Sequence, residues 1–417
     1  MSEGVFDVVV VGGGPVGACA ATLLASGSAV GERDRVGAGL KIALLEPQPP
    51  SAPAPGAPPD ARVVALSRAS ERVLARAGAW QAIPGARLSP YERMRVWHES
   101  VPAASGDVLV FDAADVGEPN LGYIVENRLL QAALLAAFRA AGGHLHAAQF
   151  ASLRIAEERI EVGTASGTLA ARLVVGADGA QSALRHAAGL TADVSDYRQS
   201  AIVATVATAR AHERTAWQRF MRRGTLAFLP LADGSSSIVW SADTELAVRL
   251  MAASDEAFQE ELDRASDLAL GATRLLGERR SFALRRVAAH HYVAQRVALI
   301  GDAAHVVHPL AGQGVNLGLM DAAALAQLVL AAQARREDPG ALGVLRAYER
   351  WRKSEVALMG SAIDVFDRLL AHGSGPLARL AQRGLTWVNR SEELRGVFIK
   401  RALGLTGELP EAAQGGG

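Results

Sequence analysis

Gly12-x-Gly14-x-x-Gly17 joins a valine-rich run, Val5–Val11, to a stretch of small residues, Pro15–Ser26. That order constrains the chain more than any other feature. The first glycine permits a tight turn, the second lets backbone approach a pyrophosphate, and the third lets helix pack close to strand. The helix start then offers unpaired amides and the positive end of its dipole to phosphate oxygens. A second apolar strand, Lys41–Glu46, completes a βαβ unit. Glu46 ends that strand, where an acid accepts hydrogen bonds from an adenosine ribose. It lies 29 residues after Gly17, against the usual spacing of roughly 20. The excess falls in Gly27–Leu40, read as an exposed insertion, where Asp34 is a competing acid that follows no strand.

Composition narrows the class. In 417 residues, 43 basic side chains balance 43 acidic ones, so no global field draws the chain to nucleic acid. One cysteine, Cys19, excludes an internal disulfide and a cysteine-rich metal site, and it reads as a small core residue. Val8–Gly31 is uncharged, but Glu3 and Asp7 precede it, the wrong flank for a signal peptide. The apolar helix candidate Ala322–Ala334 is too short to span about 30 Å of hydrocarbon. The expectation is a cytoplasmic protein that can lie peripheral to the inner membrane.

Residues 47–59 hold seven of the seventeen prolines and read as an extended surface loop. Helices are expected over Ser67–Trp80 and Asn127–Ala141, the latter with Leu129, Leu130, Leu134, Leu135 and Phe138 on one side. Strands are expected at Met94–Glu99, Asp107–Phe111, Gly122–Glu126 and Leu169–Val175. Ile202–Val206, Thr225–Leu229 and Ser236–Trp240 suggest an antiparallel sheet of their own. Residues 244–270 read as helical, Ser281–Val287 and Arg296–Ile300 as strands, and helices dominate after Val315.

Two further blocks bear on the ligand. Gly176-Ala177-Asp178-Gly179 closes one strand and Gly301-Asp302 closes another. The second runs on through His305, His308, Pro309, Gly312, Gly314, Val315 and Asn316 to Gly318. A strand-terminal aspartate can bind a polyol hydroxyl, and a glycine turn opening a helix near Val315 can stabilise negative charge on a flat ring. Nicotinamide dinucleotides have no ribityl chain; FAD has one.

With these blocks the sequence resembles the group A flavin-dependent aromatic hydroxylases, closest to the ubiquinone-biosynthesis hydroxylases related to UbiH, UbiF and VisC. Phe228-Leu229-Pro230-Leu231 with Asp233-Gly234, followed by Ser237–Trp240, resembles the family's substrate domain. The resemblance spans about residues 5–355, with the proline loop and the Gly27–Leu40 insertion as departures. It implies an α/β fold: a Rossmann-like FAD-binding domain (1–185, with an excursion near 85–115, and 285–340), an antiparallel-sheet substrate domain (186–284) and a helical carboxyl-terminal region (341–417). It implies FAD as cofactor, NAD(P)H as reductant and O2 as co-substrate. The activity implied is hydroxylation of a polyprenyl phenol through a C4a-hydroperoxyflavin. Gly12, Gly14, Gly17, Glu46, Arg62, Arg128, Asp178, Gly179, Gly301, Asp302, Gly312, Gly314, Val315 and Asn316 are the expected cofactor residues, and His305 and Pro309 shape the pocket beside the flavin. No second GxGxxG follows a strand, which fits a family without a separate NAD(P)H domain.

Alternatives remain open: hydroxylation of a small soluble phenol, flavin-dependent prenyl reduction, or a non-catalytic flavoprotein subunit. His305 and His308, three residues apart, lack a third ligand, so no metal is expected. His290 and His291 read as a solvated strand end, and Ser235–Ser237 as a turn. From Pro376 to Arg401 six basic residues face two acids, and this apolar-striped segment is expected to meet a membrane surface or a biosynthetic partner.

Overall fold

The computed structural model describes residues 5–29, 39–54, 56–308, 313–370, 396, 399–401 and 403–414. The valine run forms the strand Phe6–Val11, and Pro15–Ser26 the helix after it. Ile42–Leu45 returns parallel to the first strand, with Val8 opposite Ile42 and Val11 opposite Leu45. Gly167–Gly176 lies parallel on the other side, and Val297–Leu299 extends the sheet beyond it. Such strands are buried on both faces, which is why the run does not alternate. Val8 and Val10 pack among the helices; Val9 and Val11 pack with Ile160, Val174 and Leu184 beneath. Ala18, Cys19, Ala20 and Ala21 are fully buried, and burial pushes the Cys19 thiol up to about 12.

The second sheet runs in the order His305–Val306, Arg280–Ala289, Ala192–Thr208, Ser236–Asp243, Gly224–Pro230, Thr215–Met221, Arg93–His98, Leu109–Asp112. It is mixed instead of purely antiparallel, because Thr215–Met221 pairs parallel with Arg93–His98. That last pair of strands comes from within the 85–115 stretch. Cross-strand neighbours share a face. One face carries Trp240, Leu226, Phe228 and Ile202 under the helices Thr244–Ala252 and Asp255–Ser266. On the opposite face Val96 and Phe220 pack with Val307 and Met359. This inner face therefore looks towards the segment that follows Gly301-Asp302.

Several elements depart from their sequence expectation. Ser67 is an N-cap, accepting from the Ser70 amide, and the helix it opens stops at Arg76. The strand expected at Ile202–Val206 runs from Ala192 to Thr208; its first part forms a solvent-facing ribbon with Arg280–Ala289, so no apolar pattern marks it. Helix Gln313–Ala334 has 22 residues, with mean hydropathy 1.6 over its most apolar window. It is thus long and apolar enough to cross a membrane, contrary to the length argument made on Ala322–Ala334. In this fold 78% of that window is buried, as in the core helix of a globular domain. The Gly27–Leu40 insertion lies largely outside the described residues.

Candidate active site

The glycine fingerprint is held by backbone contacts. A Cβ on Gly12 would lie 2.3 Å from the Ala177 carbonyl oxygen, and one on Gly17 would lie 2.0 Å from that of Gly12. Gly12 also has φ +102°, a left-handed conformation. Gly14 differs: a Cβ there would meet no atom within 4 Å. Pro15 opens the helix beside it, and no side chain caps that helix end. Free amides facing open space form a cradle for a pyrophosphate. Glu46 closes one side, its carboxylate accepting from the Gly13 amide at 3.0 Å and the Gln48 amide at 3.0 Å.

The Gly301 block reaches the same place through Val16. A Cβ on Gly301 would sit 3.1 Å from Val16 Cγ1, and one on Gly318 would sit 2.6 Å from Val16 Cγ2. The start of Gln313–Ala334 is thereby pressed against the start of Pro15–Ser26. At Gly314 a Cβ again meets nothing within 4 Å. Asp302 is solvent-exposed. Yet burial still raises its carboxyl above the ordinary aspartate range, with His305 and Arg62 pulling the other way. Accessibility and desolvation together describe a side chain that lines a cleft in the body of the protein. Arg62 and Arg128 flank one junction, where the Asn127 amide donates to the Arg62 carbonyl at 3.0 Å. Both guanidinium side chains are exposed. Arg128 also lines a cavity of about 680 Å³ between the proline loop and the second sheet.

Other expected residues are committed elsewhere. Asp178 accepts from the Ser182 hydroxyl and, at 3.0 Å, from the Leu184 amide, so it organises a turn beside Gly12, in which Gly179 takes φ +83°. Asn316 is buried; it accepts from the Ser67 amide and the Ser70 hydroxyl and donates to the Ala65 carbonyl. It ties the Gly314 helix to Val63–Leu66 and the helix after it. Val315 is half-buried beside it. His305, expected in the pocket, points into the core, where its ring bonds to Asp321. His308 is buried and bonds through Nε2 to Gln199 of the second sheet, with Tyr197 edge-on at 4.8 Å. His290, read as a solvated strand end, is exposed and pairs with Asp193. Pro309 and Gly312 lie outside the described residues. Sequence reasoning missed Arg185, which is buried and donates to the carbonyls of Ala303 and Ala180, stapling the two distal blocks together. It also missed Asp321, whose signal was available as the only charged residue in Gln313–Ala334.

These residues fit a flavin dinucleotide: two open helix ends, an acid at the ribose position and a cleft-facing aspartate between the ends. The profile described as FAD binding domain matches residues 151–361. The ubiquinone hydroxylase UbiL of Rhodospirillum rubrum is 37% identical over 98% of this chain and 92% of its own length. The chain belongs to the flavin-dependent ubiquinone-biosynthesis hydroxylase family. Another member, the 3-demethoxyubiquinol 3-hydroxylase of Escherichia coli, is 33% identical over 96% of this chain and 98% of its own. The p-nitrophenol 4-monooxygenase PnpA of Pseudomonas putida superposes with a TM-score of 0.75 at 20% identity, over 96% of this chain and 98% of that one; it establishes the hydroxylase fold. Family membership makes FAD the cofactor and the chain a monooxygenase.

Asp302 yields an opposed pair of effects. Its raised pKa means the folded flavin-free protein holds this proton more tightly than the unfolded chain, so ionisation at neutral pH costs stability. Asp302→Asn should raise the unfolding temperature of the flavin-free protein at pH 7. The gain should shrink as pH falls through the raised folded-state value and vanish below about 3, under the unfolded aspartate value of about 3.9, where the wild-type carboxyl is protonated in both states. The same substitution should weaken FAD binding about tenfold or more, through loss of a charge-assisted hydrogen bond of roughly 1.5–3 kcal/mol. Scanning calorimetry across pH and FAD titration read the two effects. Unchanged FAD affinity would remove Asp302 from the site.

Proposed function

We propose that this chain hydroxylates the aromatic ring of a polyprenyl phenol in ubiquinone biosynthesis, using FAD, NAD(P)H and O2. The observation that carries this reading is the meeting of the Pro15–Ser26 and Gln313–Ala334 helix starts at Val16, with the exposed Asp302 following Gly301 at the same contact. Bound FAD supplies the activation of oxygen. The chain's own residues supply placement and dryness. The helix ends at Gly14 and Gly314 present amides to anionic oxygens, and Glu46 and Asp302 accept from hydroxyls. On the inner face Phe220, Val96, Met94 and Phe111 pack with Val307 and Met359, and this apolar cluster, which follows the Gly301-Asp302 turn in the chain at Val307, is proposed to keep water from the reacting atoms.

That face also bears on the substrate. Val96, Gln218, Ala227, Val239 and Val203 stand in one cross-strand row, uncharged until Arg280 at its far end. A small aromatic acid would need a cation opposite the ring to hold its carboxylate, whereas a neutral phenol with a greasy tail needs none. The apolar stretch from Val96 to Val203 suits a greasy tail, and Arg280 marks the end where a carboxylate would have to bind. The purified protein, loaded with FAD and given NAD(P)H, labelled O2 and a detergent-solubilised polyprenyl phenol, should yield product carrying one labelled oxygen atom. NAD(P)H oxidation with no labelled product would overturn hydroxylation and favour prenyl reduction, and no NAD(P)H oxidation at all would favour a non-catalytic role.

Such a substrate resides in a membrane, and the segment from Pro376 to Arg401, six basic residues against two acids, is proposed to meet an anionic lipid surface. Most of it lies outside the described residues. Ile399 near its end and Leu403 just beyond it are buried against Ala113 and Leu121, so truncation would strip core packing. Charge neutralisation is the cleaner probe. Replacing Arg379, Arg383 and Arg390 by Gln should lower co-sedimentation with anionic liposomes several-fold while FAD content is kept. Equal sedimentation would reject the lipid contact and leave a protein partner.

A further inference from the structure

We infer that Asp321 is a positioning residue: it fixes the Gly301-Asp302 turn from behind and links that turn to the helix Leu342–Leu370. Asp321 is fully buried. Its Oδ2 accepts from the Gly301 amide at 3.0 Å and from His305 Nε2 at 2.5 Å. Its Oδ1 accepts from Arg352 Nε at 2.7 Å. Arg352, 3% exposed, also donates to the Leu317 carbonyl. Three segments far apart in sequence thus meet on one carboxylate: the turn after Val297–Leu299, the helix that opens at Gly314, and the helix after it.

The chemistry of this junction favours a fixed geometry. Burial alone would push the Asp321 carboxyl up, but His305 and Arg352 outweigh it and hold the group below the ordinary aspartate range. An ionised carboxylate only accepts, so His305 must carry its proton on Nε2. An ion pair so deep adds little stability over an apolar cluster of the same volume, whereas removing one partner leaves an uncompensated charge. What the carboxylate adds is direction, because Gly301, at φ +56°, is held by its amide one residue before the cleft-facing Asp302. Neither the fingerprint nor Asp302 itself reports this contact.

The inference rests on the reading that FAD engages Asp302, and a double-mutant cycle separates the two. FAD affinity of the flavin-free protein is measured by fluorescence titration for wild type, Asp302→Asn, Asp321→Asn and the double variant, with thermal unfolding recorded for each. Asp321→Asn should weaken FAD binding about tenfold, and the double variant should bind little worse than Asp302→Asn alone, since contacts made through one turn are not additive. Tyr348→Phe is the control. It removes the Tyr348 hydroxyl's bond to the Leu299 carbonyl, at 2.8 Å, and should lower the unfolding temperature without moving FAD affinity. Should Asp321→Asn fail to fold, Arg352→Lys replaces it in the cycle, retaining the cation while losing the fixed Nε geometry. Its expected result is a smaller FAD loss, again absorbed by Asp302→Asn. Fully additive losses, or loss in Tyr348→Phe equal to that in Asp321→Asn, would overturn the positioning role. No effect of Asp302→Asn itself would instead overturn the flavin contact on which it rests.

Discussion

Close approach at glycines, to backbone at Gly12 and Gly17 and to the Val16 side chain at Gly301 and Gly318, is the constraint on which the site depends. Gly12 abuts Ala177, Gly17 abuts Gly12, and Gly301 and Gly318 close on Val16. These approaches bring four chain segments, separated by up to three hundred residues, to within reach of one dinucleotide. A methyl group at Gly17 would stand 2.0 Å from a carbonyl oxygen, and neither group could yield without moving a strand or a helix. Packing this tight transmits small displacements, because interiors of crystal-like density have few voids to absorb them.

Around that contact the two sheets divide the work. The first sheet, whose central strands Ile42–Leu45, Phe6–Val11, Gly167–Gly176 and Val297–Leu299 are parallel, packs a buried apolar core against its helices and presents helix ends. The mixed sheet has one face sealed beneath two short helices and the other packed with Val307 and Met359. Buried polar side chains hold distant segments together: Arg185 between the distal blocks, Asn316 between helix and strand, Asp321 behind the turn. Each ties polar groups of different segments, giving direction to a core whose aliphatic packing is non-directional.

Much of this was legible in the sequence, for physical reasons that differ by residue. The strand Phe6–Val11, the glycine turn and the helix after it were visible because burial on both faces, phosphate approach and close packing each demand a residue type. Glu46 and Asp302 were visible because each ends a strand. The solvent-facing half of Ala192–Thr208 was not, since its residues alternate with nothing buried. The internal bonds of Asp178 and Asn316 were not, since nothing in the local pattern reports that a side chain also satisfies a neighbouring turn or strand. His305 was misplaced for a related reason: its partner, Asp321, lies sixteen residues away, and nothing in the spacing reports which way an imidazole turns. The mixed character of the second sheet depends on a parallel pairing between Arg93–His98 and Thr215–Met221, a long-range choice that local pattern cannot encode.

Among the fingerprint glycines, Gly14 alone has free space where Gly12 and Gly17 have contacts, the space a pyrophosphate would fill. The most direct test is the flavin content of Gly14→Val. Its backbone, at φ −59°, accepts a β-branched residue. The variant should therefore purify with an unfolding temperature close to that of the flavin-free wild type, yet carry no FAD. A folded Gly14→Val protein that retains full FAD content would contradict the account.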